Sequence, residues 1–506
     1  MEVRPERRPE GPEVQSKGYS GDGALQAFQA FSPTPAIPAP LLTFEGLSNA
    51  DNLALYGGRV VPPDPDGDVG PNHYVEIINL VFAVYDKQGN RLTGPTKIGD
   101  LWAGFAIPDC TDPSGDPIAL YDQLEDRWIL SQFTTSGLFD PTKPFWNCVA
   151  ISTTGDPTGT YYRYAFETTF NGVFYFPDYP KYGVWTNSYL LTSRDFGPTT
   201  EYGISVYALE KNKMINGEPN ARAVHFFLDS AVVPISQIGD GLLPADIDGT
   251  RRPIDRAPAP IVGTMDNDGP YGAPFDALNV YELSVQWRST PTASLNLTTQ
   301  LPVASFDSIF PCSPGSRDCL PQPGVAPAQY LDILSYRQRP TWRLAYRNFG
   351  TYEAMVTNQS VEALPGVAGV RWYEIRRANG QFSLYQQGTY APNDGVHRWM
   401  GSIAMDKKGD MALGYSVVNG VDVYPGIRYT GRLSGDPLGQ MTLGEGVIIN
   451  GSGSQLTTLS RWGDYTSMNI DPTDDCTFWY VNEYYQITEL AAFQTRIASF
   501  KLPGCQ

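Results

Sequence analysis

Charge, histidine and recognisable catalytic motifs are scarce in this chain. Only 18% of its 506 residues are Asp, Glu, Lys or Arg, and only three are His. His73, His225 and His397 stand far apart with no His-Glu-x-x-His pair, which argues against a zincin-type metal centre. No Gly-x-Ser-x-Gly elbow, P-loop or Gly-x-Gly-x-x-Gly fingerprint occurs, so the common hydrolase and nucleotide-binding signatures are missing. Cys-x-x-Cys pairs are absent as well. No apolar run is long enough to span a bilayer, and no signal-peptide core is visible. The start, Met1-Glu-Val-Arg-Pro, reads as that of a mature or recombinant chain from which a signal has been removed. Amphipathic helical patterns are missing too.

What remains is a turn-rich, aromatic chain. It has 50 Gly and 43 Pro, with 41% hydrophobic and 12% aromatic residues, a composition that suits an all-β fold. The net charge of −18 argues against nucleic acid or an anionic membrane surface as partner. Six Cys in a Tyr-rich, Lys-poor chain favour an oxidising, extracellular compartment. Local spacing suggests the pairs Cys110–Cys148, Cys312–Cys319 and Cys476–Cys505, although six Cys allow 15 connectivities. Three Asn-x-Ser/Thr triplets, at Asn296, Asn358 and Asn450, are what chance gives in a chain of this length.

One phrase occurs twice. His397-Arg-Trp-Met-Gly-Ser-Ile-Ala-Met-Asp406 and Ser460-Arg-Trp-Gly-Asp-Tyr-Thr-Ser-Met-Asn-Ile-Asp471 each read as strand, acidic turn, strand. Asp406 and Asp471 lie 65 positions apart, and that spacing divides residues 40–505 into roughly seven units. Further units begin near Gly67, Gly115, Asp178, Leu243 and Leu331. Alternating strands follow at Gly203–Leu209, Leu278–Leu283 and Val370–Ile375. The pattern predicts an all-β chain folded as a single β-propeller of seven four-stranded blades over residues 39–506. Leu41-Leu-Thr-Phe44 is expected to pair with the last unit and close the ring. Residues 1–38, polar and Pro-rich, read as a flexible leader.

Several phrases resemble a group of large secreted bacterial proteins similar to the sialidase and Asp-box propeller superfamily. They are Tyr424-Pro-Gly-Ile-Arg-Tyr-Thr-Gly-Arg432, Arg461-Trp-Gly-Asp-Tyr465, Asp475-Cys-Thr-Phe-Trp-Tyr480, Trp342-Arg-Leu-Ala-Tyr-Arg-Asn-Phe-Gly350 and His397-Arg-Trp-Met-Gly-Ser402. The resemblance covers residues 40 to 505 and implies a propeller and an extracellular address. It does not supply a reaction.

Two constellations could carry chemistry. Three Asp-x-Asp-Gly segments set Asp64, Asp66 and Asp68, Asp246 and Asp248, and Asp266 and Asp268 in tight turns. Calcium takes six to eight hard oxygen ligands, so these are the candidate Ca²⁺ ligands, with plain acidic turns as the alternative. Charged residues also open the expected inner strands: Asp68, Asp116, Asp178, Asp332 and Asp464, with Arg398 and Arg461. Arg398, Arg428 and Arg461 could form a carboxylate-binding cluster, and Trp399 a stacking surface. Asp464, Tyr465 and Glu483 are the catalytic candidates if the chain is a glycosidase. Pairing of these Arg and Asp residues between blades is the structural alternative. Three functions follow: a calcium-stabilised binding or adhesion module for a glycan or extracellular protein, a sialidase-like glycosidase or polysaccharide lyase, or a self-assembling surface or filament subunit.

Overall fold

The computed structural model describes residues 19–27, 36–197, 202–254, 257–269, 271–308, 318–333 and 338–505. Among them, seven groups of four antiparallel strands follow one another along the chain. Their first strands are Asp66–Val69, Gly115–Asp122, Phe176–Val184, Leu243–Asp248, Thr341–Asn348, His397–Met405 and Ser467–Ile470. Each first strand touches the next, and the seventh touches the first, so the sheets close a propeller-like ring. We number the sheets one to seven in that order. The fourth strand of sheet seven is Leu42–Ser48, which pairs antiparallel with Gln494–Lys501. The N-terminal strand therefore joins the C-terminal sheet, as the sequence suggests.

Local chemistry explains the hairpins. Asp406 Oδ1 accepts the N–H groups of Lys408 (2.8 Å) and Asp410 (3.1 Å), closing the turn to Met411–Val418. Asp471 does the same for Thr473, and Asp122 for Leu124. A short carboxylate bonding two residues ahead is what makes Asp a turn residue. Gly203–Leu209, Leu278–Leu283 and Val370–Ile375 all lie in third strands. The tryptophans fill the core: Trp128, Trp185, Trp342, Trp399, Trp462 and Trp479 are all buried. Cys110–Cys148 and Cys476–Cys505 are disulfides, while Cys312 lies outside the described residues.

Three expectations need correction. The innermost strand of sheet five is Thr341–Asn348; Leu331–Asp332 instead pairs with Asp318–Leu320. A helix, Asn49–Tyr56, follows the closing strand, its start fixed by Asp51, which accepts from the Ser48 N–H and hydroxyl. Residues 19–27 of the expected flexible leader are docked on the ring, because Asp22 forms a buried ion pair with Arg371.

The inner strands splay, so only sheets four and five share a ladder there among the described residues, Ala245–Asp248 running parallel to Leu344–Arg347. At the other six junctions a side chain bonds to the neighbouring backbone. Asp66 and Asp68 accept the N–H groups of Ala119 (2.9 Å) and Tyr121 (2.7 Å). Asp116 accepts that of Tyr179 (3.1 Å), and Asp246 that of Val184 (2.9 Å). Thr341 Oγ1 donates to the Gly401 carbonyl (3.1 Å), and Ser402 accepts from Met468 N–H (3.0 Å). Ser467 closes the circuit, accepting from Gly67 N–H (3.0 Å) and donating to its carbonyl (2.7 Å).

Asp66 also accepts the Trp342 indole N–H from across the ring (3.1 Å). Asp66→Ala leaves two buried donors without a partner and is expected to cost about 2–4 kcal/mol of unfolding free energy, Asp66→Asn less. Denaturant titration of both variants checks this.

Candidate functional site

The geometry of the site begins with a backbone irregularity. Four inner strands carry a register shift against their second strands: at Gly115/Ile118, Asp178/Lys181, Thr341/Ala345 and Trp399/Ser402. Asp116, Tyr179 and Met400 sit in these bulges with φ of 44°, 57° and 50°, and Asp64 and Asp464 reach 48° and 70° just before their strands. Non-glycine residues rarely adopt such angles, and bulges re-aim side chains. Here they bring residues from several sheets to the end of the ring where the inner strands begin.

Tyr179 and Tyr465 stack there with centroids 5.0 Å apart. Lys181 Nζ lies 3.3 Å and 3.7 Å from their ring centres, and the Arg339 guanidinium 3.9 Å from that of Tyr179. The Tyr179 hydroxyl donates to the Asp464 carbonyl, and that of Tyr465 to the Pro180 carbonyl (3.0 Å). Arg461 pairs with Asp464 and lies 3.5 Å from Asp332. Glu483 accepts the Gly463 N–H, and Asp64 donates its own N–H to the Gly463 carbonyl (3.0 Å). Burial and the neighbouring Arg339 push the Lys181 ammonium well below its usual range. Burial holds the Glu483 carboxyl well above its own. These groups are almost wholly enclosed, so the centre is a packed, charged plug.

Solvent reaches its margin. A cleft of about 610 Å³ opens between sheets two and three, lined by Leu138, Phe145, Phe174, Phe176 and Phe196, with Asp178 at its edge. Phe176 is fixed by Phe133 and Phe145, at centroid distances of 4.9 and 5.4 Å. Phe139, in the same short helical turn as Leu138, Ser136–Phe139, is 79% exposed. Asp178 is partly buried, and burial together with the Asp116 carboxylate raises it to about 6, against the pull of Arg194.

The sequence candidates therefore divide. Asp64, Asp178, Asp332, Arg461, Asp464, Tyr465 and Glu483 converge on this end of the ring. The arginine cluster does not form: Arg398 binds Asp394 and Glu445, and Arg428 shares Glu445 (2.9 Å), while Arg461 turns to the centre. Trp399 is fully buried against Trp462. Asp66 and Asp68 hold sheet two, as described above. Asp246 and Asp248 grip Arg343 (2.8 and 2.6 Å), and Asp68 lies close enough to act on the same guanidinium, so these three carboxylates gather around an arginine. Asp266 and Asp268 lie in a separate turn of sheet four, where Asp266 accepts from Ser308 N–H (2.7 Å) and Asp268 N–H (2.8 Å). Sequence reasoning missed the roles of Tyr179, Lys181 and Arg339 and the phenylalanine cleft. Period-two alternation puts Asp178 and Lys181 on opposite faces of a strand, and only the bulge between them sets both in the site.

No family model matches the chain, and no curated protein matches it. Solved structures similar to it include an exo-β-1,3-galactanase from Clostridium thermocellum, 11% identical over 78% of this chain and 80% of that one, with a TM-score of 0.31. An α-L-arabinofuranosidase from Fusarium graminearum is 9% identical over 76% of this chain and 92% of that one, with a TM-score of 0.30. A mutant Trypanosoma rangeli sialidase displaying trans-sialidase activity is 8% identical over 83% of this chain and 57% of that one, with a TM-score of 0.33.

Burial raises carboxyls well beyond the site. Asp66, Glu76, Asp195, Asp266 and Asp406 are pushed up to about 7, and Asp178 and Asp246 to about 6. Between about pH 4 and 7 the folded chain keeps protons that the unfolded chain releases, so these groups lose stabilisation as pH rises. His225 and His397, held down to about 4 by burial, act oppositely below about pH 6.5, and the lowered Lys181 opposes as well, but the raised carboxyls, Asp68 and Glu483 among them, outnumber these three. The melting temperature is expected to be higher at pH 5 than at pH 8. Calorimetry across that range checks it, and a flat or falling profile on acidification contradicts it.

Proposed function

We propose that the chain is a seven-bladed β-propeller acting as an extracellular binding module for a glycan, at the cleft between sheets two and three. The supporting observation is the position of Asp178, which borders both the phenylalanine cleft and the central charged plug. A mainly apolar cleft with a few polar groups, here Asp178 and Lys143, is the usual form of a small-ligand site. Aromatic side chains offer a sugar ring a flat apolar surface, and a carboxyl offers its hydroxyls an acceptor. The disulfides fit the extracellular setting. No described helix is long and apolar enough to cross a membrane.

A glycosidase is the second reading, favoured by one observation: Asp178 retains a proton up to about pH 6 and so resembles a general acid. Both readings meet in one experiment. A glycan array identifies a ligand, and Phe176→Ala and Asp178→Asn are then titrated against it. Each is expected to weaken binding by about tenfold or more, while Arg428→Gln in sheet six leaves it unchanged. Sugar release that falls as pH rises through about 6 and vanishes in Asp178→Asn identifies the enzyme. Binding that survives both cleft substitutions overturns the site.

Calcium is retained in this proposal for the Asp266-Asn-Asp268 turn. Asp276 and Asp307 add two carboxylates close enough to raise Asp266 further. EDTA is expected to lower the melting temperature and added Ca²⁺ to restore it; no shift removes the metal from the account.

A further inference from the structure

Residues 19–27 lie on the ring with a turn at Gly23-Ala24, and four of their side chains make specific contacts. The Tyr19 hydroxyl donates to the Ala363 carbonyl (2.7 Å), and the Ser20 hydroxyl to Asp268 Oδ2 (3.3 Å). Asp22 pairs with Arg371 Nη2 (2.7 Å), both side chains fully buried, and accepts the Thr389 hydroxyl (2.8 Å). Arg371 is set for this role by the carbonyls of Ala304 and Ser305, each at 3.0 Å. Gln26 forms a reciprocal amide pair with Met441, at 3.0 and 2.8 Å. Backbone bonds from Gly23 to Ser305 (2.8 Å), Gln26 to Thr389 (3.0 Å) and Thr389 to Ala24 (2.8 Å) fix the register. Gly21 has φ of +100°, which favours glycine, and a Cβ at Gly23 would lie 2.9 Å from Ser305 Oγ.

We infer that the groove formed by Ala304, Ser305, Ala363, Arg371, Thr389 and Met441 is a sequence-specific peptide site that reads Tyr-Ser-Gly-Asp-Gly-x-x-Gln, the chain's own residues 19–26, and accepts the same segment from a second copy. Side chains at fixed spacing supply the selective contacts and backbone bonds the register, and none of them needs the segment to be covalently continuous with the sheets. A buried Arg–carboxylate contact supplies affinity, and the two glycines exclude most other sequences. The groove lies on sheets four to six, away from the cleft between sheets two and three, so it stands or falls separately from the glycan reading.

The test keeps the full chain. A protease site replaces residues within 28–35, and the folded protein is cleaved and mixed with a fluorescent peptide of residues 18–27. The peptide is expected to exchange into the cleaved protein and not into the uncleaved one. Asp22→Asn and Gly23→Val peptides are expected to compete about tenfold or more worse. Arg371→Met in the cleaved chain, its fold checked by melting, is expected to abolish the preference for Asp22. Exchange of all peptides alike, or release of the cleaved segment with no peptide uptake by the folded ring, overturns the inference.

Discussion

The structure depends on satisfying the backbone of seven inner strands that lie side by side without laddering. A ring of twisted sheets brings the first strands together at the axis but splays them too far for continuous N–H to C=O pairing among the described residues, except between sheets four and five. Buried backbone groups must nevertheless be paired. Short polar side chains at six junctions do this, and Ser402 and Ser467 play the same role in adjacent sheets. Asp66, Asp68, Asp116 and Asp246 are the carboxylate versions, and their burial raises the pKa values of Asp66, Asp68 and Asp246.

Filling the axis follows from the same constraint. Sheet five sends two side chains toward the axis: Trp342 to Asp66 of sheet one, and Arg343 to Asp246 and Asp248 of the adjoining sheet four and to the Met468 carbonyl of sheet seven. Both are almost fully buried. The guanidinium is taken out of water only where two carboxylates and a carbonyl meet it, the condition under which a buried ion pair is tolerated. With the centre occupied, access is left at the margin of one end, where Asp178 stands between the plug and the phenylalanine cleft.

Much of this architecture was legible in the sequence. The turn aspartates Asp406 and Asp471, the coincident Ser402 and Ser467, and the apolar strand Leu41–Phe44 each report a local rule that the ring obeys. Thr341–Asn348 and Leu331–Asp332 are both short β runs, and only long-range pairing decides which lies inside. The site was half legible. Acidic residues at strand starts do converge, but sequence does not say which of two adjacent carboxylates bonds a neighbouring strand and which faces a cleft. Asp66 and Asp178 are the contrast: the first receives a backbone N–H and an indole N–H, while the second stays partly open. Arg398 and Arg428 looked equivalent to Arg461 because spacing cannot show that Glu445, on an outer strand, draws two of the three away.

The bulges join scaffold to site. A regular inner strand turns alternate residues toward opposite faces, leaving Asp178 and Lys181 apart. Inserting a residue with positive φ at Tyr179 costs local strain, which tertiary contacts must hold in place. Those contacts are visible: the Tyr179 N–H bonds to Asp116 in sheet two, its hydroxyl to the Asp464 carbonyl in sheet seven, and its ring to Tyr465, Lys181 and Arg339. The strained residue is thus bound by the neighbouring sheet two and, from across the ring, by the residues that lead into sheet seven. The same contacts that close the ring therefore hold the cleft's carboxyl in position, so stability and binding draw on one set of side chains.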